Sequence, residues 1–438
     1  MTAAFPQRTP MEWAITFALG ALAVGLTLDN WVHTQNSKDA ASTMLLVSRP
    51  AHTIPAATFH RHNSAEAGTT AAGPLSAAQV RSYFDDGFLV LPGFFEGRLS
   101  GLQSDVEVQI ETLATRLHSA GKVQSTYANS TWTERLLKLT KDYPDAPIML
   151  TKGGVLPANF QQIFADDSML DVAAQLGIGP GIAVNAAWNL RAKMKQHEET
   201  TVPWHQDISY WEPRIWDEHV MTVWVSLVDA TRENGCMQFV RGAHKSGRTA
   251  RHTIGTTTRT WYTEVSEAHM KEDLTENKPL DIYTAEVKAG TAIIFPGITP
   301  HRSLNSKSNR IRWSTDFRLH PIRATRAGKT DLDWFYGLKD SLVLRPGTSN
   351  SVDGTDVPYV PDWGNWANID RTEVQDQAAA GDAGAARLKA AFDPTIVGPW
   401  MDLWNITKHC DGEKNRHVDR YLESAAAKRN GKGLYEHW

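Results

Sequence analysis

The stretch 311–320 constrains the fold most. Ile311, Trp313, Thr315, Phe317 and Leu319 alternate with Arg312, Ser314, Asp316, Arg318 and His320. Successive side chains of a strand point to opposite faces, so one face of this run suits a core and the other carries a row of polar groups. Other segments read as strands too: 182–194, 220–228, 236–240, and the pair 285–287 and 292–295 that flanks Ala289-Gly290. Asn234-Gly235 and Pro296-Gly297 mark turns between them. Short strands with turns between them predict a sandwich or jelly roll.

Helices are expected ahead of the strands. Ser76-Ala77-Ala78-Gln79 is a capping box, and the helix it opens runs to about Asp86, where Gly87 ends it. Phe88-Leu89-Val90-Leu91 then reads as a strand and Pro92-Gly93 as a turn. A long amphipathic helix is predicted over 98–118, with Leu102, Val106, Ile110, Leu113 and Leu117 on one face. A shorter one covers 166–176, closed by Gly177. The predicted fold class is mainly β with flanking helices.

The chemistry gathers at Thr201-Val202-Pro203-Trp204-His205-Gln206-Asp207-Ile208-Ser209-Tyr210-Trp211. In an extended strand His205 and Asp207 share a face and aim an imidazole and a carboxylate at one point. With one more His they would make the 2-His-1-carboxylate triad of non-haem Fe(II) sites, which leaves one side of the metal open. His-x-Asp alone is weak, because 16 His in the chain give on the order of one match by chance. His409/Asp411 and His417/Asp419 have the same spacing and read as solvated polar pairs. What singles out His205 lies downstream. His301 follows a strand and a Pro-Gly turn, as a distal ligand should. Arg312 and Ser314 then share a face of the next strand, a guanidinium beside a hydroxyl that suits a carboxylate. Arg310 has the same phase as Arg312 but follows the polar loop 306–309, so Arg312 is the deeper of the two.

These residues resemble the phytanoyl-CoA dioxygenase family of Fe(II)/2-oxoglutarate oxygenases, over roughly 75–325. Leu75-Ser76 through Gly87-Phe88-Leu89-Val90-Leu91-Pro92-Gly93-Phe94 resembles the family's entry helix and strand. His205-Gln206-Asp207 resembles its metal motif. Trp224 with Asn234-Gly235-Cys236-Met237 and Gly242-Ala243-His244-Lys245 resembles its central segment, and His301-Arg302-Ser303 with Asn305 and Arg312 its distal motif. Arg241 stands where the family usually has Pro. The resemblance implies a double-stranded β-helix, a cupin-like jelly roll backed by helices. It implies iron held by His205, Asp207 and His301, and the far carboxylate of 2-oxoglutarate held by Arg312 with Ser303 assisting. It also implies Trp224 lining the cosubstrate, with Asn189 or Gln206 in contact with it.

Outside that region the sequence says less. The run Trp13 to Leu28 is uncharged and falls just short of the roughly 20 residues that span a bilayer. Three readings compete for residues 1–31: a short membrane anchor, a signal-peptide core, or a buried helix. Residues 32–74 read as a polar linker, and 326–438 as a C-terminal extension with an Ala-rich helix near 374–392. A net charge of −4 leaves no basic footprint for nucleic acid, and two cysteines far apart suit a reducing, cytoplasmic compartment.

The expected activity is hydroxylation of a small organic or lipid-like molecule, with O2 and 2-oxoglutarate consumed and succinate and CO2 released. The carboxylate at Asp207 argues against a halogenase, which needs that coordination position for halide. Two other readings compete: a metal-dependent lyase or hydrolase on the same fold, which needs no Arg312/Ser314 pair, and a silent scaffold tethered through 13–28. Trp204, Tyr210, Trp211 and Trp216 near the motif read either as a pocket wall or cation cage, or as plain packing.

Overall fold

The computed structural model describes residues 73–322, with short breaks at 152–154, 186, 196, 212–215, 217 and 255–259, then 341–347 and scattered segments as far as 422. Before these it describes only 52–53, a two-residue strand paired with Arg248–Thr249. The apolar run 13–28, most of the linker and residues 374–391 of the helix expected near 374–392 lie outside the described residues. Among the described residues no helix is long and apolar enough to cross a membrane.

Helix α1 spans Ala77–Asp86, and both halves of the predicted capping box are formed between Ser76 and Gln79. Gly87 ends it in the left-handed region at φ 85°, with its N–H bonded to the Tyr83 carbonyl. A side chain there would be strained and would collide with the His244 ring. Strand β1 (Leu89–Leu91) follows, then helix α2 (Leu99–Ser119). Leu102, Val106, Ile110, Leu113 and Leu117 are all buried along one stripe of α2, each worth roughly 1.5–3 kcal/mol of transfer free energy. Helices α3 (Trp132–Asp142), α4 (Ala146–Thr151), α5 (Ala158–Phe164) and α6 (Asp167–Ala173) complete the helical layer. After α6 the chain continues as a wider turn through Ile178, broken at Gly177 with φ 93°.

The stretch 182–194 forms two strands, β2 (Ile182–Val184) and β3 (Asn189–Lys193). Then come β4 (Met221–Ser226), β5 (Met237–Val240), helix α7 (Glu267–Leu274), β6 (Ile282–Ala285), β7 (Ala292–Pro296), β8 (His301–Ser303), β9 (Arg312–Pro321) and β10 (Leu342–Arg345). A seven-stranded sheet runs β10-β2-β9-β4-β7-β1, with β3 also on β9; a three-stranded sheet runs β6-β5-β8. The pairings in both are antiparallel. The Asn234-Gly235 turn therefore carries the chain from the large sheet to the small one rather than closing a hairpin. The two sheets face each other across Trp224, Ile293 and Phe295 on one side and Met237, Phe239 and Ala285 on the other. This is the jelly-roll arrangement, with helices behind the large sheet.

Strand β9 shows how alternation builds the molecule. Trp313, Phe317 and Leu319 face the helical layer, where Phe317 stacks on Phe164 at 4.2 Å between ring centroids. Arg312, Ser314, Asp316 and Arg318 point the other way, into the space between the sheets, and they too are buried. The region predicted to end at 325 is extended by β10, which pairs with β2 at the edge of the large sheet.

Candidate active site

His205 lies beside β8 rather than in a long strand. Its N–H donates to the His301 carbonyl at 3.0 Å, and the His301 N–H donates back at 2.9 Å. The chain leaves that bridge through extended Gln206, and Asp207 opens a 3-10 turn, Asp207–Tyr210. The expected extended run thus stops at Gln206. That single extended residue still sends the His205 and Asp207 side chains to the same side.

Each imidazole is fixed through Nδ1, which donates to a carbonyl two residues upstream: His205 to Pro203 at 2.9 Å and His301 to Thr299 at 2.9 Å. In that tautomer Nε2 carries a lone pair and no proton. Both Nε2 atoms face Asp207 Oδ1, at 3.3 Å from His205 and 3.7 Å from His301. The other carboxylate oxygen, Oδ2, accepts from Thr222 Oγ1 at 2.5 Å and from Arg318 Nη2 at 3.0 Å. Three lone-pair donors thus converge with no hydrogen between them, and their ligating atoms all lie within 4.8 Å of one another. Such an arrangement is repulsive until a cation enters, and an N,N,O donor set fits a divalent transition metal. Burial pushes the Asp207 carboxyl up, but the Arg318 guanidinium outweighs it and holds it well below the usual carboxylate range. Burial, with His205 beside it, pushes His301 down to about 3, so its ring is neutral at pH 7.

Away from the triad, the same pocket is walled by Trp224, Met237, Phe295, Ser303, Arg312, Asp316 and Arg191. Arg312 is 2% exposed, lies 5.4 Å over the Trp224 ring, and donates through Nη1 to Ser314 Oγ at 2.5 Å. Asp316, the obvious ion-pair partner on its own strand face, is instead held by Arg191 and Arg318. No carboxylate of the described residues pairs with Arg312, and its Nε, like the Trp224 Nε1, has no hydrogen-bond partner. Burial, together with the Arg191 charge, lowers the Arg312 pKa to about 10. Arg310, its rival in the sequence, is exposed.

Two of the expected cosubstrate contacts are placed elsewhere. Gln206 spends its amide on the backbone: Nε2 donates to the Arg248 and Ile298 carbonyls, and Oε1 accepts from the Ala250 N–H. Its role is to tie the motif to the loop around 250, not to line the pocket. Asn189 lies opposite Asp316 on β3 and donates to it at 2.8 Å, outside the pocket wall. The aromatic cage is not formed either. Tyr210, Trp211 and Trp216 pack with Trp261, Trp400 and Trp404, while Trp204 packs separately under Arg302. His244 Nε2 donates to the Phe84 carbonyl and Lys245 pairs with Asp85, as structural residues do. Arg318, Thr222 and Arg191 are the polar residues that sequence reasoning gave no role. Arg318 was visible in the polar row of β9, but its partner on the 3-10 turn was not.

The phytanoyl-CoA dioxygenase family model matches residues 83–314, just over half of the chain. The chain belongs to the phytanoyl-CoA dioxygenase family. Its relatives include phytanoyl-CoA dioxygenase domain-containing protein 1 of Rattus norvegicus, 25% identical over a 203-residue alignment that covers 40% of this chain and 67% of that one. The Danio rerio protein of the same name is 32% identical over 120 residues, 26% of this chain and 38% of that one. Among solved structures it is similar to the apo non-heme monooxygenase ThoJ, at a TM-score of 0.40 and 18% identity over 66% of this chain and 91% of that one. It is also similar to EctD from S. alaskensis with 2-oxoglutarate and 5-hydroxyectoine, at 0.38 and 18% over 68% and 87%.

Proposed function

We propose that this family member is an Fe(II)/2-oxoglutarate-dependent dioxygenase that hydroxylates a small organic or lipid-like substrate. One observation carries the reading: two bare imidazole nitrogens and one carboxylate oxygen converge in the same buried pocket as an unpaired arginine. A lyase or hydrolase has no need of that arginine, and a scaffold has no need of either feature.

In this reading His205, Asp207 and His301 would hold the iron. Thr222 and Arg318 hold Asp207 Oδ2, so Oδ1 is the oxygen that turns to the metal. When bound, the iron couples oxidative decarboxylation of 2-oxoglutarate to substrate oxidation: R–H, O2 and 2-oxoglutarate become R–OH, succinate and CO2. Arg312 receives the far carboxylate through its fork, oriented by Ser314 and backed by Trp224. Ser303 Oγ already accepts from the Val202 N–H, which leaves its own proton to donate to that carboxylate. Phe295 and Met237 supply apolar wall that keeps water from the reacting centre.

The test is anaerobic titration of the purified protein with Fe(II) and then 2-oxoglutarate. A visible metal-to-ligand charge-transfer band is expected, and succinate should form once air is admitted. A protein that binds Fe(II) yet gives neither band nor succinate is not a 2-oxoglutarate oxygenase.

A further inference from the structure

Strand β3 brings a second buried cation to the same sheet face. Lys193 lies directly opposite Arg312 in the β3–β9 register, and opposite residues of an antiparallel pair project to the same side. Lys193 is 1% exposed, and its stem lies flat over Gly235 so closely that a Cβ there would collide with Lys193 Cδ. Its ammonium makes one hydrogen bond, to Thr201 Oγ1 at 3.1 Å. Among the described residues no carboxylate pairs with it. The two acids of this interior face are already engaged, Asp316 by Arg191 and Arg318, and Asp207 by Arg318.

Like charges placed directly across a strand pair destabilise it, and a buried charge without a counter-charge costs more. The sheet nevertheless puts Lys193 and Arg312 side by side. Burial, and then the neighbouring Arg312 and Arg191 charges, hold the Lys193 ammonium well below its usual pKa, as expected for a cation lacking its anion. What this part of the interior lacks is negative charge, and the ligand must bring it.

We propose that Lys193, beside Arg312 and behind the pocket wall, adds its charge to the cosubstrate seat, so that the far carboxylate of 2-oxoglutarate bound by Arg312 lies in the joint field of Arg312 and Lys193. The proposal rests on the oxygenase reading and adds a residue to it. It makes the seat selective for a keto acid that carries a distant anion. A keto acid of similar shape ending in a methyl group would leave both cations buried and unneutralised.

The experiment is anaerobic calorimetric titration with Ni(II) in place of iron, which is redox-silent and removes turnover from the readout. The probes are 2-oxoglutarate and 2-oxobutyrate, which keeps the keto acid and lacks the far carboxylate. The proteins are wild type, Lys193→Met and Lys193→Arg, with thermal midpoints recorded for each without ligand. Lys193→Met is expected to weaken 2-oxoglutarate at least tenfold and to leave 2-oxobutyrate within threefold of wild type. Its ligand-free midpoint should rise, because an unneutralised buried charge is gone. Lys193→Arg, which keeps the charge, should recover most of the 2-oxoglutarate affinity. If the Met variant does not fold, Lys193→Gln takes its place with the same expectation. A folded neutral variant that binds 2-oxoglutarate as tightly as wild type overturns the role of Lys193 and leaves the oxygenase reading intact. Wild type that binds neither keto acid overturns the oxygenase reading, and the proposal with it.

Discussion

Arg318 Nη2 donates to Asp207 Oδ2 at 3.0 Å, across from the oxygen that faces the two imidazoles. One guanidinium thereby joins the middle of β9 to the 3-10 turn that carries the acid of the triad. The same Arg318 also grips Asp316, so it is a fixed post rather than a mobile side chain. The contact sets which oxygen of Asp207 is presented.

Replacing Arg318 should therefore damage metal binding without touching a ligand. Partners behind a ligand typically matter by about 10–100-fold in metal affinity. Arg318→Met is expected to weaken Co(II) or Fe(II) binding by that order, read by anaerobic titration. Unchanged affinity would mean that Thr222 alone orients the carboxylate.

The triad itself should fail more completely. His205→Ala, Asp207→Ala and His301→Ala are each expected to abolish succinate formation, and to leave the thermal midpoint within a few degrees of wild type. The fold does not depend on the site, because the His205–His301 bridge is made by backbone atoms. Arg318 keeps Asp316 as a partner when Asp207 is lost. An Asp207→Ala protein with full turnover would remove the carboxylate from the metal site.

Much of this site is legible in the sequence because one strand carries it. Alternation along β9 identifies both its faces, since each meets a different environment: Phe317 meets Phe164, and Arg312 meets Trp224. The His205 motif is legible for a similar reason, because two positions separated by one extended residue converge wherever the chain goes next. What stays hidden depends on register between strands distant in sequence. Nothing local to Lys193 says that it lies opposite Arg312, and nothing local to Asp207 says that Arg318 will reach it. Nothing local to Gln206 says that its amide will bond the backbone of Arg248, Ala250 and Ile298. The strand Leu342–Arg345 is too short to announce itself, and among the described residues it joins the large sheet through β2.

The arginine pair gives a ranking. Arg312 is buried and Arg310 is exposed. Removing one partner of a buried charge-assisted pair costs roughly 3–5 kcal/mol, against about 0–1 for an exposed one. At roughly 1.4 kcal/mol per tenfold, Arg312→Ala should raise the apparent KM for 2-oxoglutarate by two orders of magnitude or more. Arg312→Lys should recover only part of that, having a point charge and no fork. Arg310→Ala should change it little. Saturation curves for the three variants decide the matter, and the reverse ranking would move the carboxylate seat to the strand mouth.

Acid should unfold the protein through imidazoles buried without charge. Burial pushes His244 and His320 each down to about 4, from an ordinary value near 6.5. Between those two values the unfolded chain binds more protons than the folded one, so stability falls as pH drops. The contribution of each His is whole above about pH 6.5 and is lost progressively down to about pH 4. Asp316 acts in the same direction at lower pH. Burial raises its carboxyl, Arg191 and Arg318 more than offset that, and the net lowering contributes stability that disappears as pH falls below the usual carboxylate range. One proton of difference is worth about 1.4 kcal/mol per pH unit, so each His should remove roughly 2 kcal/mol between pH 6.5 and 5. Denaturant midpoints at pH 7.5 should exceed those at pH 5 by a corresponding amount. His320→Gln, which cannot titrate, should take about that share out of the difference. A pH dependence as steep in His320→Gln as in wild type would mean that His320 gains its proton without unfolding.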